Sequence, residues 1–245
     1  MKQRAQINEV YAAVQGEGPK DGTPCVFVRF HLCPVKCQWC DTSYTWDGSE
    51  KGERTNLPEL LATIEGVARN PNGLVFIDGI NESRRVVNHV VITGGEPMVQ
   101  KCLGGLIAEL RSMDYTVEIE TACIFKPTDE WLNVSDDGVI WNLSPKLPSA
   151  NAKILPASAI VRQWIESSAN TELKLVVKDL KDLEAAIELS KESGAELSET
   201  LIMPCATSVD QMSERLRWLY PLALTHGFKV ISRTHITAYN GKRAT

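Results

Sequence analysis

Three cysteines, Cys33, Cys37 and Cys40, fall in the stretch FHLCPVKCQWCDTSYTWDG with the spacing C-x3-C-x2-C, and Trp39 lies between the last two. Three thiolates on one loop can hold three irons of a cubane iron-sulfur cluster and leave the fourth iron without a protein ligand. An open iron can accept a chelating small molecule. Two other uses of the same residues stay open. Structural zinc prefers four protein ligands, usually with a second C-x2-C pair, and Cys25, Cys102, Cys123 and Cys205 are isolated. The i, i+4, i+7 spacing is also one helical face on which cysteine packs as a small hydrophobe. Pro34 and the Asp-Thr-Ser after Cys40 disfavour a long helix there.

Other polar groups need positioning by the elements that carry them. Apolar runs of strand length recur at CVFVRFHL from Cys25, NHVVIT from Asn88, TVEIE from Thr116, VIWNL from Val139, ELKLVVK from Glu172, TLIMP from Thr200 and FKVIS from Phe228. Amphipathic helical patterns separate several of them. Leu57, Leu60, Leu61, Ile64 and Ala68 keep one face, with Pro58 in the first turn. Leu180, Leu183 and Ile187 repeat the spacing before a stop at Gly194. A third helix is predicted from Ser208, where Ser-x-x-Gln gives a capping box, with Pro221 kinking or ending it.

Continuously apolar strands alternating with such helices predict an α/β fold, a single domain over 1–245 built on a mostly parallel sheet, open or as a partial barrel. The turn-rich stretch over 70–85 reads as an excursion from it. In parallel α/β folds ligands gather beyond the carboxyl ends of the strands. The polar clusters fall there: Cys33 after the first run, Thr93-Gly94-Gly95-Glu96-Pro97 after the second, Glu120-Thr121 on the third, Ser144-Pro145-Lys146 after the fourth, Arg233 and His235 after the last. Together they describe the rim of one pocket. Arg29 inside an apolar strand is costly without an anion beside it.

Of 245 residues, 43% are hydrophobic and 23% charged, as in an ordinary globular chain. The formal charge is −5 with no long lysine/arginine block, which argues against direct nucleic-acid binding. The amino terminus lacks an apolar h-region and no run of apolar residues is long enough for a membrane span, so a cytoplasmic protein is expected. An odd number of cysteines, seven, suits reduced thiols or a metal site better than a disulfide framework.

The C-x3-C-x2-C loop resembles the signature of the radical S-adenosylmethionine (SAM) superfamily, in which SAM chelates the open iron of a 4Fe-4S cluster and an electron releases a 5′-deoxyadenosyl radical. The stretches YAAVQGEG, CDTSYTWDG, TGGEP, EIET, LSPKLPS, LKLVV and THITAYNGKRAT together resemble the 7-carboxy-7-deazaguanine synthases over nearly the whole chain. The resemblance implies a partial (β/α)6-type barrel and a lyase of queuosine-type biosynthesis. It would contract the ring of 6-carboxy-5,6,7,8-tetrahydropterin with loss of ammonia, using a 4Fe-4S cluster, SAM and Mg²⁺. It further implies a flavodoxin- or ferredoxin-like electron donor and a homodimer.

Carried over by motif, Cys33, Cys37 and Cys40 would hold the cluster and Thr42 would contact Mg²⁺. Trp39, Gly94, Gly95, Glu96, Glu120, Ser144 and Lys146 would face SAM. Gln15, Glu17, Arg29, Thr93, Gly95 and His235 would border the substrate. In short-tailed members the C-terminal carboxylate reaches the site, a role that would fall here to Thr245. Against family usage, 70–85 reads as an insertion. The rival readings are an activase that places a glycyl radical on a partner protein, which would not need VQGEG or His235, and a non-catalytic iron-sulfur or zinc electron-transfer module, which would normally supply a fourth protein ligand.

Overall fold

Strands covered by helices on their outer face need apolar side chains along their length, and the central strands have them. The structure, a computed structural model, describes residues 4–70, 85–155 and 157–243. Within these the strands are β1 (Arg4–Val14), β2 (Pro24–Phe30), β3 (Glu53–Asn56), β4 (His89–Gly94), β5 (Thr116–Thr121), β6 (Val139–Leu143), β7 (Thr171–Val177), β8 (Leu201–Pro204) and β9 (Lys229–Val230). They form one sheet in the order β3-β1-β2-β4-β5-β6-β7-β8-β9. From β2 to β9 every pairing is parallel, whereas β1 runs antiparallel to both β2 and β3. The order leaves β3 and β9 as edges, so the sheet is open.

All seven apolar runs became strands. β1 and β3 are additions to the sequence expectation. β1 mixes buried and half-exposed positions along RAQINEVYAAV, so it lacks the continuous apolar run that marks a parallel core strand.

The helices are α1 (Leu57–Arg69), α2 (Leu103–Ser112), α3 (Asp129–Leu132), α4 (Ser158–Ile165), α5 (Leu180–Ser193), α6 (Val209–His226) and α7 (Thr234–Tyr239). α1 starts at a reciprocal box between Asn56 and Glu59, with Pro58 in its first turn. α5 stops where Gly194 turns left-handed, at φ +78°. Ser208 caps α6 by accepting from the Gln211 N–H, but Gln211 reaches back to Thr207 rather than to Ser208, so half of the expected box is present. Nor does Pro221 end α6, which continues to His226. Pro221 and Arg217, whose carbonyl loses its helical partner, are both exposed, so water can satisfy that oxygen.

One continuous hydrophobic core runs from Ala5 on β1 to Phe228 before β9. Its largest buried side chains include Trp141 and Trp164, 4.6 Å apart between ring centroids. Cys25, Cys102, Cys123 and Cys205 are buried in the interior, and all seven cysteines are free. The predicted excursion lies outside the described residues except for its ends. At one of these, Arg85 pairs with Glu65 and stacks on Tyr115.

Candidate active site

A cavity of about 330 Å³ opens beyond the carboxyl ends of the parallel strands. Its upper wall is the loop after β2. Leu32 and Lys36 take left-handed backbone, φ 78° and 53°, which breaks any helix and curls the chain so that Cys33, Cys37 and Cys40 all line the cavity. The three pack around Val35, Ala122 and Ala150. Burial pushes the Cys37 thiol up to about 11, with Lys146 opposing and Cys40 and Cys33 adding to the rise. Three thiols close enough to repel one another as thiolates are a donor set for a highly charged centre. Among the described residues no three His, Cys, Asp or Glu side chains converge on a single metal ion. Three thiols carried by one loop suit three irons of a cubane cluster.

The TGGEP turn is laid against the start of that loop. Pairing of Phe30 with Gly94 continues as Gly95 N–H donates to Phe30 O and Glu96 N–H to Leu32 O, both 2.8 Å. A Cβ on Gly95 would fall on the Leu32 carbonyl oxygen and 3.1 Å from Cys33 N. Gly95 is thus required by close approach of two main chains. Thr93, Gly94 and Gly95 line the cavity, but Glu96 does not. Its carboxylate turns inward and accepts from Thr121 Oγ1 (2.8 Å), Ala122 N (2.8 Å) and Met98 N (3.1 Å). Glu96, expected to receive SAM, thus has three donors of its own at the exit of β5. Burial raises its pKa against those donors.

On the floor, Glu17 is gripped by Lys174 Nζ and Arg233 Nε, each 2.7 Å away. Burial pushes the Glu17 carboxyl up, and Lys174 and Arg233 overcome it, so Glu17 ionises well below the usual carboxylate range. Arg233 also donates to Asp41 beside Cys40 (2.5 Å) and to Ala206 O (2.6 Å), so it ties the VQGEG turn, the cysteine loop and the exit of β8 together. Glu120 accepts from Thr93 Oγ1 (2.7 Å), Lys174 Nζ (3.4 Å) and Gln15 Nε2 (3.5 Å). Gln15 is buried, with Nε2 donating to Glu118 at 3.0 Å and Oε1 accepting from Glu17 N–H. His235 packs against Gly16, where a Cβ would meet His235 N at 2.7 Å. Burial lowers the His235 pKa, opposed by Glu17 and aided by Arg233, so the ring is neutral at pH 7.

The side wall carries Arg29, whose Nε donates to Glu9 (3.0 Å) and whose Nη2 donates to Tyr11 OH (3.1 Å). The anion that an arginine in an apolar strand requires is therefore supplied within the chain. Thr42 lines the cavity with Oγ1 3.6 Å from Cys40 Sγ. Lys146 Nζ donates to Ser144 Oγ at 3.0 Å, and both border the cavity. Trp39 is aimed by Nε1 donating to Ser149 Oγ (3.2 Å), which in turn donates to the buried Asp182. Thr245 lies outside the described residues.

Sequence reasoning named no role for Lys174, Asp41, Tyr11, Tyr44 or Glu9, all of which build the cavity or its wall. Lys174 carried a usable signal, since a lysine within ELKLVV breaks an apolar strand as Arg29 does.

No family model matches the chain. The 7-carboxy-7-deazaguanine synthase of Pyrobaculum aerophilum is 32% identical over 242 residues, which cover 98% of this chain and 97% of that one. The chain belongs to the 7-carboxy-7-deazaguanine synthase family. The crystal structure of QueE from Escherichia coli superposes with a TM-score of 0.66 and 25% identity over 95% of each chain. A structure of anSMEcpe with bound AdoMet, 14% identical, shares the fold with a TM-score of 0.56 over 82% of this chain and 61% of that one. As a 7-carboxy-7-deazaguanine synthase family member, the chain is a radical SAM lyase whose cofactors are SAM and a 4Fe-4S cluster. No helix among the described residues is long and apolar enough to cross a membrane.

Proposed function

We propose that this cavity converts 6-carboxy-5,6,7,8-tetrahydropterin to 7-carboxy-7-deazaguanine by radical ring contraction with loss of ammonia. The observation that carries the reading is the meeting, in one cavity, of a three-thiol wall with a floor of fixed charges and hydrogen-bonding groups. A reduced cluster and SAM held there would supply hydrogen-atom abstraction from the tetrahydropterin. Everything else falls to the chain: binding, orientation and exclusion of water.

Cys33, Cys37 and Cys40 hold the cluster. Main-chain groups of Gly94 and Gly95, with Trp39, Glu120, Ser144 and Lys146, surround SAM. Gln15, Glu17, Thr93 and Gly95 meet the heterocycle's polar edge. Glu17 does so as a carboxylate, because Lys174 and Arg233 hold it ionised. Neutral His235 stands beside Glu17, with Nε2 4.0 Å from its Oε1, where it can accept or donate one proton. Arg29 takes the substrate carboxylate on its planar fork. A Mg²⁺ ion would take hard oxygen donors, the Thr42 hydroxyl with substrate oxygens and water. The whole chain acts as one radical SAM domain. It works as a cytoplasmic homodimer reduced by a flavodoxin- or ferredoxin-like donor, without direct contact to nucleic acid.

The test is anaerobic reconstitution with iron and sulfide, then turnover with SAM, Mg²⁺, dithionite and the carboxylated tetrahydropterin, read by product mass. The deazaguanine acid and ammonia in equal amounts support the reading. 5′-Deoxyadenosine without the acid would point to a different radical SAM substrate.

A further inference from the structure

We propose that Arg243 is a positioning residue for Arg29 and a latch across the cavity mouth, acting through the carboxylate of Glu9 that the two arginines share. After α7 the chain reverses because Asn240 and Gly241 are both left-handed, at φ 49° and 79°. Asn240 Oδ1 accepts from Val209 N–H at 3.1 Å, which fixes this turn on the start of α6. The turn delivers Arg243 to the cavity lining. There its Nε donates to Glu9 Oε1, its Nη1 and Nη2 grip Glu50 at 2.6 and 3.1 Å, and its guanidinium stacks 3.8 Å from the Tyr44 ring centroid. Tyr44 OH and Arg29 Nε both donate to Glu9 Oε2, at 2.9 and 3.0 Å.

Glu9 is therefore a hub between two guanidiniums. Arg243 is itself matched by Glu50, so what it adds is a hold on Glu9 through Oε1: Glu9 is shared between two guanidiniums and fixed in the position that orients Arg29, whose Nη1 has no hydrogen-bond partner among the described residues. Because Tyr44 and Glu50 lie on the segment that follows the cysteine loop, the same contacts pin that segment to β1. The ligand class is a carboxylate on a planar heterocycle. This step rests on the substrate reading above.

The experiment compares wild type with Arg243→Gln, Arg243→Lys and Glu50→Gln, each as the reconstituted full chain. KM and kcat are read for the carboxylated pterin, Ki for its 6-carboxamide, and hydrogen exchange over residues 43–50. Arg243→Gln should raise KM for the acid about tenfold, the equivalent of one weakened charge-assisted contact, with kcat nearly unchanged and the carboxamide Ki little moved. Arg243→Lys should restore part of the affinity, and exchange over 43–50 should quicken in Arg243→Gln and, less, in Glu50→Gln. Equal losses for acid and carboxamide, or unchanged KM and exchange, would overturn the proposal. Should wild type fail to turn over the pterin, the substrate reading falls, while exchange over 43–50 still decides the latch.

Discussion

Lys174 Nζ and Glu17 Oε2 meet at 2.7 Å on the cavity floor, although 157 positions separate them in the chain. Lys174 is buried and also faces Glu120. Removing one partner of a buried ion pair leaves an uncompensated charge, which typically destabilises by about 3–5 kcal/mol. Lys174→Met leaves two carboxylates in that position, so a loss of this size is expected in urea unfolding, together with loss of pterin binding. A drop well under 1 kcal/mol would mean that Arg233 alone suffices to hold Glu17.

The same floor sets the response to acid. Burial lowers the His235 pKa, so the unfolded chain takes up this proton near its ordinary value of about 6.5 while the folded chain resists. Stability from this source is complete above that pH and is lost as pH falls through the depressed value. Glu17, held low by Lys174 and Arg233 against its burial, behaves alike one step further down, beginning near about 4.3. The urea midpoint should therefore fall in two stages on acidification, and His235→Gln should remove the upper stage alone. A wild-type midpoint flat from pH 7 to 5 would contradict the lowered pKa of this half-buried ring.

Glu96 separates a structural from a ligand-binding reading of TGGEP. Its two carboxylate oxygens accept from two main-chain N–H groups and one hydroxyl. Glu96→Ala strands those donors, each worth roughly 1–3 kcal/mol when buried and unpaired. Thermal stability should drop strongly, with iron content per folded chain and SAM dissociation constant close to wild type. A specific weakening of SAM at unchanged melting temperature would return Glu96 to the ligand.

How far the sequence could be read depended on which physics marked each element. Parallel core strands advertise themselves because both faces are covered, and Gly194 marked the end of α5 through the conformation that only glycine adopts cheaply. β1 stayed hidden because its half-buried, mixed pattern resembles a surface segment, yet it carries Glu9 and Tyr11, which hold Arg29. Position after the strands put the cysteines of the loop and the glycines of TGGEP on one rim, and they line the cavity. Lys174, Asp41 and Arg233 gained their meaning only when β7, the cysteine loop and the exit of β9 converged on Glu17, a relation that local spacing does not encode. Glu96 shows the converse: a polar residue in a glycine turn suggests a ligand, but only packing reveals which way its carboxylate points.

Gly95 couples the fold to the cluster loop most directly. Its φ is not left-handed, so the requirement for glycine is purely steric: a methyl group would fall on the Leu32 carbonyl and crowd Cys33 N. Relief demands that β4's exit move away from the loop, breaking the Glu96 N–H to Leu32 O hydrogen bond and displacing the first cysteine. Gly95→Ala should destabilise by about 1–3 kcal/mol, as overpacking does, and should cut iron and sulfide retained after anaerobic reconstitution to less than half. Gly194→Ala serves as the comparison. Its φ of +78° is strained for alanine, but nothing lies within 4 Å of the added methyl, so it should cost about 1–2 kcal/mol and keep a full cluster. Equal iron content in the two variants would show that the approach of Gly95 to Leu32 is not what places Cys33.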